Sequence, residues 1–70
     1  MHLADRLKYL RVGADMTQAQ LSEKTGMSRS AIANYERGNI LPGAYALCQF
    51  ADALDVSVDY LLGRTDKNVR

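Results

Sequence analysis

The stretch that decides the fold is residues 17–38, which read TQAQLSEKTGMSRSAIANYERG. Thr17 precedes Gln20 by three residues, the spacing of a capping box, so we expect a helix to begin there. Gly26 favours the end of that helix because glycine adopts the left-handed conformation at little cost. Ser28 is a good N-cap for a further helix. The connection between the two helices, residues 26–28, is short and contains a glycine. It therefore predicts two helices that cross steeply, at roughly 90–120°.

Three more segments carry apolar residues at helical spacing. These residues are Leu3, Leu7, Leu10 and Ala14, then Leu47, Phe50, Ala51 and Leu54, then Val58, Leu61 and Leu62. The first helix is expected to stop near Gly13, and Ser57 and Gly63 to begin and end the last one. No strand pattern is present, so the sequence predicts an all-α, compact five-helix domain over residues 1–63. Residues 64–70 are polar and are expected to form a flexible tail or a truncated linker.

The composition sets limits on function. Seventy residues, 47% of them hydrophobic and 24% charged, suit one small globular domain. With one cysteine, Cys48, and one histidine, His2, we expect no internal disulfide, no metal, no cofactor and no enzyme activity. Cys48 is expected to serve as a small core residue. No apolar run reaches the roughly 18 residues of a membrane helix, so no membrane segment is expected. The single cysteine fits a reducing environment, so a cytoplasmic location is expected.

Charge is distributed unevenly along the chain. Residues 1–40 carry six bases and four acids, whereas residues 41–63 carry three acids and no base. This pattern suits a protein that presents one face to a polyanion, but an ordinary solvated surface of mixed charge explains it equally well.

The outer face of the third helix carries the candidate recognition residues. With Ile32 and Tyr35 turned inward, small and polar side chains occupy the opposite face: Ser30, Ala33, Asn34 and Arg37. Such a face fits a DNA major groove about 12 Å wide. Arg29, at the flank of this face, can donate two hydrogen bonds to guanine. Asn34 can form a pair of hydrogen bonds with adenine, and Ala33 can contact a thymine methyl. The alternative is a surface helix with ordinary polar residues.

Taken together, several motifs resemble one known family. They are Arg6-Leu7-Lys8, Met16-Thr17-Gln18, residues 26–30, residues 35–38 and residues 58–63. They resemble the lambda-repressor-like, Cro-type helix-turn-helix family of bacterial and phage transcriptional regulators, also called the xenobiotic-response-element family. The resemblance covers about sixty of the seventy residues. Two positions depart from the family pattern: Thr25 replaces a more usual aliphatic residue, and Gly43 replaces a common capping serine.

The resemblance implies roles for particular residues. Base-reading positions are expected at Arg29, Ser30, Ala33 and Asn34. Gln18, in the first turn of the second helix where free N–H groups favour an anion, is expected to contact a DNA phosphate. Further phosphate anchors are expected at Ser28, Arg37 and Asn39. Arg11 and Glu36 are expected to form a structural ion pair, and Tyr60, pointing outward, is a candidate for a dimer interface.

The resemblance implies a sequence-specific regulator of transcription, most simply a repressor, with double-stranded operator DNA as its partner. A few base contacts at about 1–3 kcal/mol each discriminate weakly among about a million sites, which favours a homodimer. Three alternatives stay open: an antitoxin, a restriction controller, or a protein-interaction module that reuses the fold.

Overall fold

The computed structural model describes residues 2–68, which form five helices. They are α1 (Leu3–Gly13), α2 (Gln18–Thr25), α3 (Arg29–Arg37), α4 (Ala44–Leu54) and α5 (Val58–Leu61). No strand occurs in this part of the chain, so the predicted all-α, five-helix fold is confirmed. The outer ends of the predicted domain and tail, Met1 and residues 69–70, lie outside the described residues.

The helices surround a core to which all five, and the α4–α5 turn, contribute. α1 packs against α3, α4 and α5, while α2 packs against α3 and α4. The buried apolar residues are Leu7, Leu21, Ile32, Phe50, Ala51, Leu54, Val56 and Leu61. Tyr35 meets Phe50 edge to face, with the ring centroids 5.7 Å apart. Ile32 and Tyr35 therefore anchor the inner face of α3 and determine which of its residues face outward.

The junction between α2 and α3 follows the local signals in the sequence. The backbone N–H of Gln20 donates to Thr17 Oγ1 at 3.1 Å, and that of Thr17 donates to Gln20 Oε1 at 2.8 Å. Gly26 ends α2 with φ +76°. Ser28 Oγ accepts from the N–H of Ala31 at 3.1 Å and caps α3. The predicted capping box, glycine stop and serine cap are all confirmed.

Thr25 is buried, but its hydroxyl is fully engaged. Thr25 Oγ1 donates to the carbonyl oxygen of Leu21 at 2.8 Å and accepts from the N–H of Met27 at 3.2 Å. Next to it, Ser22 Oγ donates to the Met27 carbonyl at 2.5 Å. The departure from an aliphatic residue at position 25 thus supplies hydrogen bonds that hold the turn. At the other departure, Gly43, α4 begins without a side-chain cap.

Two packing predictions for the second half of the chain are wrong. Cys48 is exposed instead of lying in the core, because the inward stripe of α4 passes through Phe50, Ala51 and Leu54, and position 48 lies outside it. Leu62 is 37% exposed, since α5 ends at Leu61 and the chain turns away from the core there.

Tyr60 does not point outward as predicted. Its half-buried ring packs against the core, with the guanidinium carbon of Arg6 5.1 Å from the ring centroid. Arg6 also donates from Nε to the Leu61 carbonyl at 3.1 Å and from Nη2 to the Tyr60 carbonyl. The cause is a contact from α1 that the spacing of residues within α5 does not reveal.

The described part of the tail returns to the turn between α4 and α5. Asn68 Oδ1 accepts from the N–H of Ser57 at 2.9 Å, and its Nδ2 donates to the Asp55 carbonyl at 3.1 Å. At the start of the tail, the backbone N–H of Arg64 donates to the Asp59 carbonyl at 2.9 Å. Two residues of the segment expected to be flexible are therefore hydrogen-bonded to the domain.

Candidate nucleic-acid interface

The outer face of α3 is formed as the helical period requires. Arg29 and Ser30 are exposed, and Ala33 and Asn34 are half-buried, whereas Ile32 is fully buried beneath them. The structure thus places all four sequence-predicted base-reading residues outside the core. Their side chains are short except at Arg29, so a nucleic-acid groove could approach the helix closely.

Hydrogen bonds fix the side-chain amide of Asn34. Its Oδ1 accepts from Arg37 Nη1 at 3.4 Å and from Asn39 Nδ2 at 3.2 Å. The amide nitrogen is left as the group that can meet a ligand. A bidentate contact to adenine needs both the oxygen and the nitrogen. In this conformation Asn34 is therefore a donor, and two predicted phosphate anchors, Arg37 and Asn39, orient it.

Gln18 and Ser28 lie at the starts of α2 and α3. Gln18 is the first residue of α2 and is half-buried, with its Nε2 donating to Glu36 Oε1 at 3.2 Å. Ser28 is exposed, and its hydroxyl caps α3. Neither helix has an acidic residue in its first turn. Both helix starts therefore retain the partial positive charge that favours an anion.

Arg11 and Glu36 form a buried ion pair between α1 and α3. Arg11 Nε lies 2.7 Å from Glu36 Oε2, and Nη2 lies 3.0 Å from Oε1. The two side chains are only 10% and 4% exposed. The hydrogen bond that Arg11 donates to Glu36, together with the negative charge of that carboxylate, raises the pKa of Arg11 above its ordinary value, against an opposing effect of burial. Arg11 therefore stays charged, and the pair joins the end of α1 to the last turn of α3.

Some surface features were missed from the sequence. Three large apolar side chains are exposed in the α3–α4 connection and the first turn of α4: Ile40, Leu41 and Tyr45. One feature of the sequence could have indicated this exposed apolar surface: Leu41 is an apolar residue in a predicted loop, next to Pro42. The hydrogen bond from Arg11 Nη1 to the carbonyl of Met16, at 2.7 Å, was not predicted either. Every residue has a backbone carbonyl, so the residue type at position 16 does not indicate that this one is an acceptor for Arg11.

Residues 2–68 contain no unpaired buried polar side chain, no metal-binding cluster and no membrane-spanning helix. No buried side-chain nitrogen or oxygen there lacks a hydrogen-bond partner. The same residues contain no cluster of three or more histidine, cysteine, aspartate or glutamate side chains suited to a metal ion. None of the described helices is both long and apolar enough to span a membrane.

Two helices joined by a glycine turn, the second anchored by its inner face and presenting a slim polar outer face, define a helix-turn-helix domain. The helix-turn-helix family model matches residues 7–61, and the chain belongs to this family. This confirms the resemblance to lambda-repressor-like, Cro-type regulators.

Similar proteins include regulators from phages and bacteria. The transcriptional repressor RstR of the cryptic phage CTXphi in Vibrio cholerae is 40% identical over 97% of this chain and 62% of that protein. The P22 c2 repressor, solved in complex with a synthetic operator, has a TM-score of 0.82 and 32% identity over 89% of this chain and 94% of that one. The restriction-modification controller C.AhdI from Aeromonas hydrophila also has a TM-score of 0.82, with 29% identity over 84% of this chain and 89% of that one. The chain spans between a half and two thirds of the length of four curated relatives that it matches, RstR among them.

Proposed function

We propose that this protein binds double-stranded DNA in a sequence-specific manner and regulates transcription as a repressor that occludes a promoter. The observation that carries the proposal is the outer face of α3, where Arg29 and Ser30 are exposed above the fully buried Ile32. The similarity to RstR and to the P22 c2 repressor supports it. The protein would act by binding, without catalysis or a cofactor, in the cytoplasm.

In this proposal α3 enters the major groove and four side chains meet base edges. Arg29 has the fork of donors that matches guanine O6 and N7, and Ala33 can contact a thymine methyl. Ser30 suits either base edge. Asn34, whose oxygen is held by Arg37 and Asn39, offers its Nδ2 to an acceptor such as a purine N7. The structure thus favours a donor role for Asn34 over the bidentate contact with adenine.

Phosphate contacts are proposed on either side of α3. Gln18 lies at the start of α2, where free backbone N–H groups favour an anion. Ser28, Arg37 and Asn39 flank the two ends of α3. Arg37 is the only one of these four residues that carries a positive charge, so among them it is the one whose loss should reduce the salt dependence of binding.

We further propose that the protein binds as a homodimer. The described residues measure 29 × 21 × 21 Å, so two copies side by side can place their α3 helices about 34 Å apart, one turn of DNA. Tyr60 is half-buried against Arg6 and offers little free surface, so we place the second copy on the exposed Ile40, Leu41 and Tyr45.

Sedimentation tests this interface. Leu41→Glu should shift the dimer towards monomer, whereas Tyr9→Glu, at another exposed apolar residue on α1, should leave the assembly unchanged. A wild-type protein that binds operator DNA as a monomer would contradict the proposed dimer. If Tyr60→Glu abolished the dimer and Leu41→Glu did not, the interface would lie at Tyr60.

Selection from random duplex DNA, repeated at rising salt, tests the function itself. We expect one enriched sequence and a steep fall of affinity with salt. Arg29→Ala should weaken binding by about 5- to 150-fold for each half-site of the selected sequence and relax one base position in each half-site. Arg64→Ala, at an exposed arginine beyond α5, is the matched control and should leave the preference unchanged. No enriched sequence and no salt dependence would refute the proposal.

The likeness to C.AhdI favours one second candidate, a regulator of the restriction-controller type. Such a protein would bind DNA through the same face of α3 but would have its operator beside a restriction or methyltransferase gene. Mapping the selected sequence onto the source genome distinguishes the two.

A further inference from the structure

Glu36 accepts hydrogen bonds from two sides. Its Oε1 accepts from Arg11 Nη2 at 3.0 Å and from Gln18 Nε2 at 3.2 Å, while Oε2 accepts from Arg11 Nε at 2.7 Å. The ion pair therefore does more than join α1 to α3. It also holds the side chain at the first position of α2.

Arg11 reaches the same turn through its remaining nitrogen. Arg11 Nη1 donates to the carbonyl of Met16 at 2.7 Å, immediately before Thr17, the N-cap of α2. The backbone before this helix is thus bonded to Arg11 of α1, and the side chain of Gln18 is bonded to Glu36 of α3, with which Arg11 forms the ion pair. The proposed phosphate contact and the proposed base-reading helix form one hydrogen-bonded unit.

We propose that Glu36 is a positioning residue for DNA binding, which holds one N–H of the Gln18 amide so that the other is presented to a DNA phosphate. This inference rests on the proposed function. An amide nitrogen carries two hydrogens, so Gln18 can serve both acceptors at once. Fixing the side chain before binding removes an ordering cost that a freely rotating glutamine would incur on the DNA.

The charges are compatible with this role. A lone carboxylate beside the DNA contact would repel phosphate, but Arg11 pairs with both oxygens of Glu36 and balances its charge. Gln18 therefore meets an acceptor whose negative charge is neutralised within the protein. A purely structural ion pair would hold α1 and α3 together without affecting what Gln18 contributes to DNA affinity.

A double-mutant cycle separates these two roles. One change replaces the ion pair by apolar residues, Arg11→Met with Glu36→Leu, which leaves the net charge unaltered. The other is Gln18→Ala. Affinity for the selected duplex is measured by fluorescence anisotropy at a temperature where circular dichroism shows every variant folded. Tyr9→Ala is the control, because Tyr9 is an exposed residue of α1 that lies outside both this unit and the proposed dimer interface.

We expect Gln18→Ala to weaken binding about tenfold in the wild-type background and less than about twofold in the pair-replaced one. The salt dependence and sequence preference should stay the same in both, because Gln18 is uncharged and its partner is a phosphate. Tyr9→Ala should have no effect. An equal loss in both backgrounds would overturn the positioning role while leaving DNA binding intact, whereas absence of salt-dependent DNA binding by the wild-type protein would overturn both proposals.

A measurement on the unmutated protein covers the case in which the pair-replaced variant does not fold. Relaxation of the Gln18 side-chain amide by NMR should give an order parameter above about 0.6 in the free protein. A value below that, typical of a freely moving side chain, would overturn the inference.

Discussion

Removing Arg11 should destabilise the domain more than any change on its surface. In Arg11→Met the apolar stem is kept, but Glu36 loses both hydrogen bonds from the guanidinium, and the Met16 carbonyl loses the third. Glu36 would then remain as an unpaired charge with a side chain that is only 4% exposed. A burial of this kind is unfavourable because the carboxylate is removed from bulk water without an opposite charge beside it.

The size of the effect follows from that burial. Stranding one member of a buried ion pair costs about 3–5 kcal/mol. A domain of seventy residues has a free energy of unfolding of about 4–10 kcal/mol, at about 0.05–0.15 kcal/mol per residue. Arg11→Met therefore removes a large share of the stability, and the melting temperature should fall by at least about 12 °C.

Urea unfolding followed by circular dichroism measures the change. Adding Glu36→Leu to Arg11→Met should recover at least about 2 kcal/mol, because the stranded charge is then removed. Arg64→Met is the matched control: its ion pair with Asp59 spans 3.7 Å with side chains 74% and 63% exposed, and its loss should cost less than about 0.5 kcal/mol. A loss below about 1 kcal/mol for Arg11→Met, or no recovery in the double variant, would refute the reasoning.

Three further changes give distinct outcomes. Thr25→Val should lower the free energy of unfolding by about 1–2 kcal/mol in urea titrations, since the Met27 N–H loses its acceptor, and an unchanged value would show that the hydroxyl is dispensable. Gly26→Ala should cost about 1–2 kcal/mol from its φ of +76° alone, because nothing lies within 4 Å of the added Cβ; Gly26→Asn should cost less, and equal losses would contradict a conformational cause. Arg37→Met should reduce the slope of log affinity against log salt by about 2 in anisotropy titrations, because each copy of the dimer loses one phosphate contact, and a constant slope would remove Arg37 from the phosphate contacts.

The sequence was enough to predict the helices and the outer face of α3. The capping box at Thr17, the stop at Gly26 and the cap at Ser28 act over at most four residues, so residue type and spacing reveal them. The burial of Ile32 follows from the helical period in the same way.

Contacts between distant parts of the chain were harder to predict. Residues 6 and 60 meet only because α1 packs against α5, and this contact turns Tyr60 inward, contrary to expectation. The resemblance implied the pairing of Arg11 with Glu36, but nothing in the residue pattern indicated that Gln18 would share the same carboxylate.

What the sequence determined by itself is the set of helices and the turn between α2 and α3, because caps, glycine stops and apolar spacing are local properties of the chain. Tertiary structure alone decided which side chains are held in place: Gln18 by Glu36, Tyr60 by Arg6, and Asn68 by the backbone N–H of Ser57. Those contacts depend on how helices far apart in the sequence pack around a shared core, and a pattern of residue types along one helix does not contain that information.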